Sequence, residues 1–176
     1  MKYASEDLMN EHEGILFGLK ILQKMSENLI KKAQVEIRDF EEMVNFLKLF
    51  VDKCHHGKEE GFLFPAMEKA GIRNEGGPIG QMLYEHSLGR KYIAEMSGAI
   101  TKGDIERNVF TEFSEKYIEL LRPHIEKENN ILFPIGDQRM PESEQETLLE
   151  SFEKFEEEVM GAGTHERLHK MLHAFE

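Results

Sequence analysis

Tryptophan is missing from this chain, cysteine occurs once and proline only five times in 176 residues. A lone Cys54 can neither close an internal disulfide nor build a multi-thiolate metal site. Positive charge is scarce: 22 Lys and Arg stand against 34 Asp and Glu, a net charge of −12. Nucleic acid and anionic membrane both need clustered cations, so neither is expected as a main partner. No uncharged apolar run approaches the length that spans a bilayer. The opening MKYASEDLMNEHEG has neither the basic nor the apolar part of a signal peptide, which makes a reducing cytoplasm the expected compartment. Strand-like alternation is lacking too. What remains, 40% hydrophobic and 32% charged, is one domain's worth of soluble, acidic and mostly helical chain, long enough to bury a core without disulfides.

Glycine and proline cut this chain into segments whose apolar residues recur at three and four. The first follows Ser5, a candidate N-cap, with Glu6 and Asp7 where the helix dipole favours anions. Its apolar stripe is Leu8, Ile15, Leu16, Leu19, Leu22 and Leu29. The second runs from about Val35 into the late sixties, with Phe40, Val44, Leu47, Val51 and Phe62 in register. After the loop AGIRNEGG, Pro78 is placed to open a third segment carrying Ile79, Met82, Leu83, Ile93 and Met96, ending near Lys102-Gly103. The fourth runs from about Asp104 into the mid one-thirties with Phe113, Tyr117, Leu120 and Ile131, and Pro123 is expected to kink it. Pro141 opens an acidic fifth helix that ends at Gly161-Ala162-Gly163, and Thr164 to Phe175 is amphipathic. The pattern predicts an all-α fold: an up-and-down antiparallel four-helix bundle over residues 1–138, with short helices over 139–176 packed on the same domain.

Polar residues interrupt those stripes. His12 lies four residues after Leu8, His55 four after Val51, His86 seven after Ile79, and His124 seven after Tyr117. Glu59 and Glu128 each follow a histidine by four, on the same helix face. A buried carboxylate without a partner costs several kcal/mol or shifts its pKa, so two of them call for a compensating charge. A pair of metal ions supplies it. Four imidazoles and two carboxylates are too many donors for one tetrahedral zinc, but suit two irons bridged by both glutamates and a solvent oxygen.

The chain also repeats itself. HHGKEEGFLFP (55–65) aligns without gaps onto HIEKENNILFP (124–134), and NEH (10–12) pairs more loosely with YEH (84–86). The order H…HxxxE…H…HxxxE, one element per helix, resembles the hemerythrin-like (HHE cation-binding) family over roughly residues 8–138. The resemblance implies an up-and-down four-helix bundle around a non-haem di-iron centre, with His12, His55, Glu59, His86, His124 and Glu128 as metal ligands. Oxygen-carrying members have a fifth histidine where this chain has Met82, and end their last motif with an aspartate at five residues' spacing, where Glu128 stands at four. These departures predict a centre that oxidises quickly in air rather than carrying oxygen reversibly.

The expected function is therefore a metal-binding one: a cytoplasmic di-iron protein that binds O2 or NO, or handles iron, in redox or stress sensing. The alternatives are a di-iron oxidase or peroxidase-like enzyme, repair of iron–sulfur centres, or a structural module stabilised by zinc. His56 and Glu60 form a second HxxxE pair, about 100° around a regular helix from the first. Both the continuing apolar stripe and the ungapped repeat, which places His56 opposite Ile125, favour His55 over His56 as the ligand. Glu60 is left as a residue that orients a neighbouring histidine, or as part of a solvated face. Cys54 is expected to be a buried, inert thiol, the comb of His165, His169 and His173 a partly exposed packing face, and the acidic run 153–158 a solvated one.

Overall fold

Proline opens and glycine closes several of the helices in a computed structural model, which describes residues 2–31, 34–161 and 163–174. Helix α1 spans Ala4–Ile30. Helix α2 (Ile37–Phe46) passes into wide π-helical turns, π1 (Leu47–His56) and π2 (Glu59–Leu63), and on into α3 (Phe64–Lys69). Pro78 opens α4 (Pro78–Gly98). A short antiparallel hairpin, β1 (Ile100–Thr101) and β2 (Asp104–Ile105), leads into α5 (Arg107–Lys127), which widens through π3 (Glu128–Leu132) into α6 (Phe133–Arg139). Two further helices follow, α7 (Glu142–Met160) and α8 (Thr164–Ala174). The fold is all-α apart from that hairpin. Helix α5 packs against both α1 and α4, while α7 lies along α1 and the two π segments of the second rod. Among the described residues no helix is long and apolar enough to cross a membrane.

The buried apolar residues form two clusters rather than one. The larger holds Ile15, Leu19 and Leu22 of α1 with Phe46, Phe50, Ile93, Phe110 and Tyr117. The smaller holds Leu8 of α1 with Phe64, Ile79, Met82, Phe133 and Phe152. Along α1 the sequence thus passes from Leu8 in one cluster, through Glu11 and His12, to Ile15 in the other. Helix α4 does the same from Met82, through Glu85 and His86, to Ile93. A buried polar layer separates two apolar halves.

Several local expectations are corrected. The first helix starts at Ala4, two residues earlier than a Ser5 cap would place it: Tyr3 precedes it, its N–H donates to the Glu6 carboxylate at 3.3 Å, and Ser5 is buried with its hydroxyl donating to Asp137 at 2.8 Å. Helix α4 stops at Gly98 and α5 starts at Arg107, because Gly103, with φ near 76°, turns the chain between them into the hairpin. Leu16 and Ile131 are not core residues, being 37% and 56% exposed. For Ile131 the cause is π3, whose wider turn carries Leu132 inward in its place. Ala162 and Phe175 lie outside the described residues.

Gly18 shows how closely the rods approach. A Cβ there would meet the Phe46 ring at 2.6 Å. Gly18→Ala is therefore expected to destabilise the fold by about 1–3 kcal/mol through overpacking, although alanine favours a helix more than glycine does. Thermal unfolding checks this, and Phe46→Leu in the same chain should recover part of the loss.

Candidate metal centre

The polar layer is built by four helical rods. Helix α1 supplies His12, π1 supplies His55 and His56, π2 supplies Glu59, α4 supplies His86, α5 supplies His124 and π3 supplies Glu128. None of these side chains is more than 3% exposed. The π turns have a local cause. Pro65 and Pro134 have no N–H to give a regular helix, and the residue before each, Phe64 or Phe133, donates five residues back, to the carbonyl of Glu59 or Glu128. At the end of π1 the Gly57 N–H likewise reaches the Asp52 carbonyl. A π turn rotates the chain less per residue than an α turn, so His55 and His56 both face inward.

That rotation corrects the expectation for His56. A regular helix admits one of the two neighbours to the interior, and the reading of the stripe chose His55. In the structure His56 is buried as well, its ring stacked on His86 with centroids 3.8 Å apart and planes 18° from parallel. The layer resolves into two groups of donors, each within 4.8 Å of one another: His12, His55, Glu59 and Glu128, and His56, Glu59, His86 and His124. Glu59 belongs to both.

The donor atoms are aimed at one another without bonding. His86 Nε2 lies 3.1 Å from Glu59 Oε1 and His55 Nε2 lies 3.8 Å from Glu59 Oε2. Glu128 Oε1 is 3.3 Å from His12 Nε2 and 3.4 Å from His124 Nε2. The Nε2 atoms of His12, His86 and His124 and all four carboxylate oxygens are nonetheless buried without a hydrogen-bond partner. Such orphaned atoms are costly unless something else satisfies them. Donors held on one ion at about 2.1 Å sit roughly 3.0–3.4 Å apart, in octahedral or tetrahedral arrangement. Most of the spacings fall in or next to that range, and imidazole nitrogen with carboxylate oxygen suits iron or zinc. The residues fit a metal site.

Each histidine is oriented from behind through its other nitrogen. Nδ1 of His12 donates to Asn129 Oδ1 at 2.7 Å, His55 to Glu11 at 3.0 Å, His56 to Asp52 at 3.4 Å, His86 to Glu60 at 2.7 Å and His124 to Glu85 at 2.9 Å. Placing the proton on Nδ1 leaves the Nε2 lone pair free for a metal. The carboxylates are neutralised in turn. Lys58 and Lys127, which align in the sequence repeat, bind Glu11 and Glu85; Arg90 binds both Asp52 and Glu60. Lys58 is fully buried, and its ammonium also meets Asp7 at 3.1 Å and Glu156 of α7 at 3.2 Å. The acidic run 153–158 is thus not wholly a solvated face.

Sequence reasoning missed Glu11, Glu85, Asn129 and this lysine pair, although the signal was present. The residue before each lone histidine, Glu11 or Glu85, serves the histidine of the following HxxxE; the residue after each HxxxE glutamate, Glu60 or Asn129, serves a lone histidine. Glu60 accordingly takes the orienting role, not the solvated one.

Burial and neighbouring charge set the protonation of the metal-free layer. Burial pushes His55 down to about 4, and lowers His56 well below and His86 below their usual value of 6.5. Burial, with the charge of Glu128, holds the Glu59 carboxyl well above its usual 4.5. Burial opposes the charges of both His124 and Glu128, but their mutual attraction overcomes it: His124 rises to about 9 and Glu128 falls well below its usual value. Burial also pushes the Cys54 thiol up to about 12, which keeps it protonated.

A hemerythrin HHE cation-binding domain matches residues 3–135, three-quarters of the chain. The chain belongs to that family. The HHE chain is also 25% identical over 162 residues to uncharacterized proteins of Mycobacterium tuberculosis and Mycobacterium bovis, covering 90% of this chain and 63% of each relative's length. No solved structure matched it significantly. The His/Glu layer is the candidate cation site of this HHE domain. In the C-terminal comb His169 lies edge-on to Phe50 at 5.4 Å and His173 packs on Phe17 at 4.9 Å, while the side chain of His165 lies outside the described residues. The candidate metal groups found among the described residues do not include the comb.

The metal-free chain should have a stability maximum in pH. His55, His56 and His86 bind protons less readily folded than unfolded, so their contribution is complete above pH 6.5 and is lost as pH falls toward 4. Glu59 opposes them, one group against three. The His124 contribution is complete below pH 6.5 and fades as pH rises toward 9. The melting temperature of chelator-treated protein is expected to peak near pH 6.5 and fall on both sides; a steady rise from pH 5 to 9 would contradict this protonation scheme.

Proposed function

We propose that this HHE domain holds two iron ions in the polar layer and uses them to bind O2 or NO, or to handle iron, in redox or stress sensing in the cytoplasm. The observation that carries this reading is the pair of four-donor groups sharing Glu59, in which the inward atoms of His12, Glu59, His86, His124 and Glu128 have no hydrogen-bond partner. Seven donors exceed what one ion can use. One ion would be held by His56, Glu59, His86 and His124, the other by His12, His55, Glu59 and Glu128. Bound iron would supply a redox-active centre with a position for a diatomic ligand. The chain's own part is to fix that centre: five imidazoles locked by their Nδ1 bonds, and two apolar clusters excluding water above and below.

His56 changes the comparison with oxygen carriers. Met82 contributes no donor and packs in the smaller apolar cluster, yet the histidine count still reaches five because π1 turns His56 inward. The missing histidine of α4 is replaced from the neighbouring rod. Reversible oxygen binding thereby returns as an outcome to be measured, beside the rapid oxidation that Met82 alone predicts.

The deciding experiment is metal analysis with absorption spectra of protein purified without oxygen, before and after air or NO is admitted. Two irons per chain and a spectral response to the gas are expected. Zinc alone from iron-replete cells, with no response, would replace this reading by a structural one. Turnover with peroxide would replace it by an enzymatic one. His56→Ala and His55→Ala are each expected to lower the stoichiometry toward one; two irons retained in His56→Ala would return that residue to a packing role.

Loaded protein should also melt well above metal-free protein. Metal bound by the folded state alone adds roughly 2.7 kcal/mol at a hundred times its dissociation constant. Coincident melting curves would contradict it.

A further inference from the structure

The two halves of the metal layer follow one repeat, and they depart from it together in one place. His55, Lys58, Glu59 and Glu11 have the counterparts His124, Lys127, Glu128 and Glu85. The exceptions are His56, Asp52, Glu60 and Arg90, whose counterparts are Ile125, Leu121, Asn129 and Leu16. These exceptions are wired to one another. Asp52 Oδ1 accepts from His56 Nδ1 at 3.4 Å and from Arg90 Nε at 2.9 Å. Glu60 Oε2 accepts from His86 Nδ1 at 2.7 Å and from Arg90 Nη2. One guanidinium therefore spans the two carboxylates that orient two stacked imidazoles. The matching place in the other half is apolar or neutral throughout.

The geometry points to Arg90 as a positioning residue that clasps His56 and His86 as a unit and so retains the ion of the three-histidine group more tightly than its neighbour. This deepens the di-iron reading and rests on it. Planarity matters: a guanidinium holds its donors in one fixed plane at the end of a longer side chain, whereas an ammonium, although Lys58 shows that it too can meet several carboxylates, fixes no plane. The clasp is also reachable. The Arg90 side chain is 41% exposed and lines a surface cleft with Lys48, Asp52 and Ser97, whereas Lys58, the cation behind His55, is fully buried. Removing Arg90 opens no cavity in either apolar cluster, but frees two carboxylates to turn to solvent and the two imidazoles to lose their shared alignment. Losing a group that orients metal ligands costs roughly 10–100-fold in metal affinity.

The test is anaerobic release of ferrous iron to a chelator from the full chain, followed in time and by total iron. Wild type is expected to release two irons in two phases. Arg90→Gln should accelerate the slow phase roughly 10–100-fold and leave the fast phase and the metal-free melting temperature unchanged. With cobalt(II) as a spectroscopic probe, only the band of the more tightly held ion should shift. Glu60→Gln, which keeps an acceptor for His86 but breaks the charge pair with Arg90, should act on the same phase. Leu16→Gln, at the equivalent place in the other half, should leave both phases alone. Arg90→Lys should recover the slow phase only in part; full recovery would overturn the bridging role. Equal acceleration of both phases, or of neither, with two irons bound in wild type, overturns the clasp alone. Fewer than two irons in wild type overturns the di-iron reading and this inference with it.

Discussion

The cost of burying two carboxylates and five imidazoles between apolar clusters governs the rest of this structure. Unpartnered charges in such a place are unfavourable by several kcal/mol each, and the inward atoms of His12, His86, His124, Glu59 and Glu128 have no hydrogen-bond partner. Among the side chains themselves the answer is partial: His124 and Glu128 attract one another, and burial with the charge of Glu128 raises the Glu59 carboxyl well above its usual value. Cations bound among those atoms, as the proposed function has it, would supply the missing partners.

Charge is arranged outward from that layer in alternating rings. Lone pairs face inward, Nδ1–H groups face outward, four carboxylates and one amide receive them, and Lys58, Lys127 and Arg90 stand behind the carboxylates. Each ring is needed by the one inside it. A carboxylate behind an imidazole strengthens it as a ligand, and a cation behind the carboxylate keeps that carboxylate from drawing a proton. The scheme also explains why a chain with net charge −12 keeps three of its scarce cations beside the core.

The C-terminal helices take part in this arrangement. Glu156 of α7 reaches the buried Lys58, Phe152 lies beneath its ammonium at 5.7 Å, and Phe155 occupies the space that Gly57 leaves open between the π segments. A side chain at position 57 would meet that ring at 2.8 Å. The glycine therefore serves close packing where the second rod widens, and α7 closes the back of the layer.

The repeat of helical stripes, each interrupted by histidine at a fixed place, already determined an all-α bundle with an inward polar layer. Both facts follow from side-chain periodicity, which is local and written in the sequence. His12, His55, Glu59, His86, His124 and Glu128 could be placed inward by counting in turns of 3.6. His56 could not, because its inward turn comes from a π segment, whose i to i−5 bonds include that of Gly57 to Asp52 and, further on, that of Phe64 ahead of Pro65 to Glu59. The same widening moved Ile131 to the surface and Leu132 inside. Nor could the sequence tell that Glu11 serves His55 on the next rod rather than its neighbour His12, or that Arg90 joins Asp52 to Glu60. Those partnerships link residues 30 to 44 positions apart, and only the docking of one helix on another brings their atoms within bonding distance.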